Sequence, residues 1–178
     1  MRRSAFMTEP LGCDPTDPRE PERHTLETEF EKRRGVSEVV ARHGFAQVHV
    51  TGLTGNIVEG RLRLLRAVAD AEVSIDFLKL TPSGLSFLVS EDRASDIGKA
   101  LTGTGAECSV QTGRSIVLVH AVNMRDEEGL IARIVEQAIA TGTSVEHVGD
   151  MHDRLLLVVA TEASKSLVPS LQRRLAEI

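Results

Sequence analysis

The chain has no tryptophan and no tyrosine, and aromatic residues make up only 3% of it. Stacking platforms for bases or sugars are therefore largely missing. Cysteine is almost as scarce: Cys13 and Cys108 are the only two, and neither has a Cys or His at metal-ligand spacing. Both read as free thiols in a reducing cytoplasm. There is no basic surplus, since 21 Lys and Arg face 26 Asp and Glu for a formal net charge of -5. That balance argues against a nucleic-acid binder. No apolar run reaches membrane-spanning length. Met1–Met7 lead straight into Thr8, Glu9 and Pro10, so a signal-peptide apolar core is also lacking.

Residues 1–34 differ in kind from the rest. Four of the six prolines (Pro10, Pro15, Pro18 and Pro21) fall there among Asp, Glu and Arg. So few apolar side chains cannot offset the entropy of ordering, and this stretch is expected to be a disordered leader. A short polar helix over 26–34 has little to hold it. A solvated leader is the simpler reading than a docking tail.

What the chain does have is a repeat. Residues 36–105 and 106–175 match in character at a spacing of 70 with no gap, and such periodicity dictates architecture. Phe45–Thr51 lies over Ser115–Ala121, and Glu59–Ala71 over Gly129–Thr141. Leu85–Val89 lies over Leu155–Val159, while Ile97 and Leu101 lie over Leu167 and Leu171. Two copies are too few for a solenoid, so a small domain is duplicated.

The pattern within each copy is strand, strand, helix, strand, strand, helix. In the first helix Leu62, Leu65, Val68 and Ala69 are the expected inward stripe, with Asn56 as its cap and Glu59 reaching back. In the second, Ile131, Ile134, Val135 and Ala138 form the stripe. Thr81–Gly84 reads as a hairpin turn, with Met151–Arg154 as its counterpart. Ile116–Val122 is almost wholly apolar, as in a strand covered on both faces. Helices would cover one face and a second sheet the other. These features predict an α+β fold of two ferredoxin-like βαββαβ units. The first unit ends in a strand at Glu107–Thr112, whereas the second has no strand after its last helix. A spare strand over 36–41 precedes the first unit and is expected to complete the second, leaving the domains interleaved. The division is then 1–34 leader, 45–112 first domain, and 36–41 plus 115–178 second domain.

Gly35–Val50 followed by Ala69–Asp76, together with Asn123–Arg125 followed by Gly129–Glu136, resembles the aspartokinase regulatory region, a tandem pair of ACT domains. The resemblance covers roughly residues 35–178. It implies interleaved ACT units, dimerisation through adjoining sheets, and binding of an end-product amino acid, lysine or threonine. The kinase domain that precedes this region in the family is not expected here, so a non-catalytic regulator or a partner of a separate kinase subunit is implied. Carried over residue by residue, one ligand set is Leu53, Thr54, Gly55, Asn56, Ile57, Ile75 and Asp76. The equivalent second set is Met124, Arg125, Asp126, Val145 and Glu146. Helix-start amides suit a carboxylate and an acidic side chain suits an ammonium. Where the family has Pro-Gly at the start of the first helix, this chain has Val58-Glu59; the second copy has Glu128-Gly129. The alternative is a dimeric ACT interaction module that binds a partner enzyme and no amino acid.

Other chemistry is weaker. Gly55–Leu62 has the glycine spacing of a phosphate loop, but Arg61 stands where Lys belongs and Leu62 where Ser or Thr belongs. His147, Asp150, His152 and Asp153 are the one metal-like cluster, more simply read as turn residues. Arg63 and Arg66 share a solvated helix face with an acidic partner as the alternative, and His49 and His120 read as core or interface histidines. No cofactor, metal or catalytic constellation is expected.

Overall fold

Two unusually long antiparallel strands run through the centre of the protein, and all other elements are arranged about them. The computed structural model describes residues 35–53, 55–122, 124, 126–151 and 153–175, so the leader 1–34, Thr54, Asn123, Arg125, His152 and 176–178 lie outside the described residues. In order come β1 (Gly35–Thr51), α1 (Ile57–Asp70), β2 (Phe77–Thr81), β3 (Gly84–Ser90), a 3-10 turn (Glu91–Arg93) and α2 (Ala94–Leu101). β4 (Glu107–Val122), α3 (Leu130–Ala140), β5 (His147–Asp150), β6 (Arg154–Ala160) and α4 (Thr161–Leu175) follow. The strands form one sheet in the order β2-β3-β1-β4-β6-β5.

β1 pairs with β4 from Gly35 to Thr51, but with β3 only through Phe45–Val50. β4 pairs with β6 only through Arg114–His120. The second part of β1, β3, β2 and the first part of β4 therefore make one half-sheet. The first part of β1, the second part of β4, β6 and β5 make the other. The leading strand does join the sheet of the second copy, and the fold is two tandem ferredoxin-like units, the second completed by that strand. Each half has its own helix-covered core. Val48, Val50, Leu64, Val68, Phe87, Ile97 and Leu101 are central to the first. Val117, Val119, Ile134, Leu157, Leu167 and Leu171 are central to the second, where Val39 of the leading strand joins them.

A third buried cluster, Phe45, Leu88, Ile116, Leu118, Leu156 and Val158, occupies the other sheet face and takes residues from both halves. β2 and β5 are opposite edges of the sheet, yet the rings of Phe77 and His147 stand 5.5 Å apart. The sheet thus folds over, and each half covers the other's open face, as the apolar strands required. The turn-over falls where β1 and β4 pass between halves. There the β1 register shifts between Arg42 and Phe45, and Gly44 and Gly113 adopt φ of 83° and 67°. A left-handed backbone of this kind suits only glycine without cost.

Two expectations need correcting. The gapless spacing of 70 places Ala46, Val48 and Val50 over Ile116, Leu118 and His120, but the residues facing the helices in the second half are Val117, Val119 and Ala121. For the long strands the spacing is 71, and it returns to 70 at the helices, where Leu64 and Val68 match Ile134 and Ala138. Leu53 and Met124 both pack on their own cores at a spacing of 71, so the missing residue falls after Met124. A one-residue slip inverts every side chain of a strand. The stripe of α1 is also displaced: Gly60, Leu64 and Val68 face inward, while Leu62 is 47% exposed. Gly60 faces the sheet because Leu53 packs over it, 3.2 Å from the place of a Cβ.

Val39 is 2% exposed in the second core. Val39→Ala should cost about 2 kcal/mol by urea denaturation, for two lost methyl groups and a cavity. Hydrogen exchange should accelerate first in α3 and β6, not in β3.

Candidate functional site

The sequence-predicted ligand residues lie at two places, one per half. In the first half, Gly55 and Asn56 lead into α1, and the Asn56 side chain accepts a hydrogen bond from the Val58 amide at 2.9 Å. The expected cap is present; Glu59 makes no return bond among the described residues. With Val58 N on the cap and Gly60 N bonded to the Asn56 carbonyl, the amides of Ile57 and Glu59 remain for an acceptor. Leu53 and Ile75 both pack against the first core, which sets the loop beside the residues leading into β2. Asp76 donates its amide to the Leu88 carbonyl at 3.0 Å. Thr54 lies outside the described residues.

The second half repeats this plan in part. Met124 is buried in the second core and Val145 packs against it. Glu146 donates its amide to the Val158 carbonyl at 2.8 Å, as Asp76 does to Leu88. Asp126 is exposed and Arg125 lies outside the described residues. Here α3 begins differently, with Gly129 at φ 76° and no side-chain cap.

Neither acidic residue is unpaired. Glu146 accepts from Arg114 Nε at 2.8 Å, with both side chains about one-fifth exposed (22% and 18%). Arg114 also donates to the Gln111 side chain at 2.6 Å and to the Thr112 carbonyl at 3.0 Å. Asp76 lies 3.8 Å from Arg42 in a far more exposed pair, Arg42 being 58% exposed. Two surface hollows are described, and none of these residues lines either. One of about 250 Å³ lies along Val36–Val39 and Gln172, and one of about 650 Å³ along the outer face of α1, lined by Glu59, Leu62, Arg63, Arg66, Ala67 and Asp70.

Comparison with known proteins is decisive at the level of fold. No protein-family profile matches the sequence, and no curated protein sequence does. Among solved structures, the regulatory subunit of aspartate kinase from Thermus flavus superposes with a TM-score of 0.71 at 17% identity, over 79% of this chain and 98% of that one. The ligand-free subunit from Thermus thermophilus gives 0.70 at 16%, over 78% and 97%. Escherichia coli aspartokinase III in complex with lysine and aspartate gives 0.62 at 13%, over 80% of this chain and 33% of that one. The chain has the fold of the aspartate kinase regulatory region.

Within this fold, the other sequence candidates acquire structural roles. Arg61, read against a phosphate loop, donates Nη2 to the Thr81 carbonyl and Nε to the Gly84 carbonyl at 3.3 Å. It ties α1 to the β2–β3 hairpin. Asp153 forms a two-point pair with Arg154 at 2.8 and 2.7 Å, and chiefly through that hydrogen bond its pKa is held down to about 2. His147 lies between the half-sheets, and no group of three possible metal ligands exists among the described residues. Arg114 was missed by sequence reasoning. Its signal was a guanidinium directly after Gly113, where the polar first part of β4 gives way to the apolar run Ile116–Val119.

Asn56→Ala should lower stability by about 1 kcal/mol in chemical denaturation, through loss of the α1 cap. Arg114→Ala leaves Glu146 and Gln111 without their donor and should cost about 1–3 kcal/mol in the same measurement.

Proposed function

We propose that this chain is a non-catalytic regulator of the aspartokinase type, a homodimer that senses an amino acid, lysine or threonine, and acts on a separate kinase subunit in the cytoplasm. One observation carries the reading: the fold accounts for 97–98% of the Thermus regulatory subunits, proteins that are subunits in their own right. The lysine complex of the Escherichia coli enzyme motivates the choice of effector. No cofactor or metal enters the proposal. Among the described residues, no helix is long and apolar enough to cross a membrane.

The domains of this reading are 45–112 and 36–41 plus 115–178. Each supplies part of a ligand site. The Ile57 and Glu59 amides, with Gly55 and Asn56 beside them, receive the ligand carboxylate, and Asp76 receives its ammonium. Met124, Asp126, Val145 and Glu146 form the second set, with Thr54 and Arg125 as further members. Asn56, Asp76 and Glu146 line neither of the two described hollows, and in this reading each site is completed by a second copy. The outer strands favour that assembly: Leu78 and Leu80 of β2 and Val148 of β5 are 43%, 55% and 39% exposed. Apolar side chains on sheet edges are a liability unless another chain covers them.

A second reading, a ligand-free dimeric module for a partner enzyme, is favoured by a different observation. Glu146 is already neutralised by Arg114, and Glu59 sets an acidic group in the first turn of α1. Thermal melts and calorimetry separate the two. On the sensing reading, lysine or threonine in hundredfold excess over its Kd stabilises the fold by about 2.7 kcal/mol, and Asp76→Ala abolishes the shift. On the second reading the melting temperature is unmoved by any standard amino acid, while sedimentation still reports a dimer.

A further inference from the structure

The seam between the half-sheets is apolar around a polar centre. His147, at the start of β5, is 8% exposed, and its Nε2 lies 3.0 Å from Ser86 Oγ of β3. Its ring stands 5.7 Å from that of His49 in β1 and 5.5 Å from that of Phe77 in β2. Two residues on, Gly149 packs so tightly on Phe77 that a Cβ would stand 2.9 Å from Cε2. β5 of the second half thus touches β1, β2 and β3 of the first. Against this packing stand three buried polar atoms with no protein partner among the described residues: both amide atoms of Gln47 and Nδ1 of His147. A buried donor or acceptor left without a hydrogen bond lowers the stability of the packing around it.

The charges facing His147 come from three places: His49 on β1, Lys79 on β2 and Glu146 just before β5. Ser86 and Phe77, its other neighbours, carry none. We propose that His147 is a proton-operated latch: neutral, it holds the two half-sheets together, and protonated, it releases them. An imidazolium here would be cut off from water and set against His49 and Lys79. Its one acidic neighbour, Glu146, is already engaged by Arg114 at 2.8 Å. Burial first, then His49 and Lys79, hold the His147 pKa below the ordinary 6.5, with Glu146 opposing.

The sign follows. Because the folded form resists protonation, the unfolded chain binds more protons as pH falls below 6.5. The contribution is fully present above that value and lost as pH drops below it. The seam is also joined to both expected ligand segments, since Phe77 follows Asp76 and His147 follows Glu146. Release of the latch would shift both segments together. That consequence for an effector rests on the regulatory reading; the latch itself does not.

The test uses the full chain with no amino acid added. Melting is followed by circular dichroism between about pH 7.5 and about pH 5, for wild type, His147→Gln and the control His43→Gln. Wild type and His43→Gln should lose several degrees more than His147→Gln over that range. Equal slopes in wild type and His147→Gln overturn the proposal. In the wild-type protein, an NMR titration of the imidazole signals provides a second measurement that needs no variant to fold. A His147 pKa below 6.5, with faster hydrogen exchange in β2 and β5 on acidification, supports the latch. A value at or above 6.5 overturns it.

Discussion

Pairing of β1 with β4 along both half-sheets is the constraint on which everything else hangs. Each strand is long enough to serve two units, and each turns over where its register or a left-handed glycine allows. Because the same two backbones run through both halves, the second helix-covered core cannot form without the leading strand that precedes the first. Val39 shows this most directly, entering a core made otherwise from residues 117–175. The free edge that β1 presents beside Val39 is partly closed by α4, whose Gln172 Nε2 donates to the Val39 carbonyl at 3.1 Å. Long-range pairing of this kind couples the two halves through shared strands.

The turn-over of the sheet also explains why the proposed ligand segments and the seam are inseparable. Ile75-Asp76 and Val145-Glu146 are the lead-ins to β2 and β5, the two strands that meet when the sheet folds back. Arg114 stands at the crossing point and reaches both ways, to Gln111 in the first half's portion of β4 and to Glu146 beside β5. Charge, hinge and interface are therefore concentrated in a few residues. An acid placed here can hold a ligand ammonium or the crossing strand. In this chain Glu146 holds the strand.

Much of the fold was legible in the sequence. The apolar rhythm of the two copies, the missing final strand and the spare one at 36–41 led to strand exchange, because a sheet edge left bare is costly. The buried quartet Ile97, Leu101, Leu167 and Leu171 came from the same repeat. What escaped was phase. Leu62 and Leu64 are equally apolar, so composition alone could not show that Leu64 faces the core, although the match of Ile134 to Leu64 contained the answer. The slip from 70 to 71 along the strands was equally hidden, since Ile116 and Val117 are interchangeable in character while their environments are opposite.

The site was legible to a lesser degree. Asn56 as a helix cap follows from local chemistry, because an Asx side chain and the amide two residues on are neighbours in the chain. The partners of Asp76 and Glu146, and the burial of His147 against Ser86 and His49, depend on residues 32 to 98 positions away. Local pattern determines which segments become strands and helices, since propensity and periodicity act within a few residues. Which charges neutralise one another, and which histidine loses its water, was decided only when the sheet folded over on itself. Desolvation and ion pairing are properties of distance in space, and no spacing along the chain encodes them.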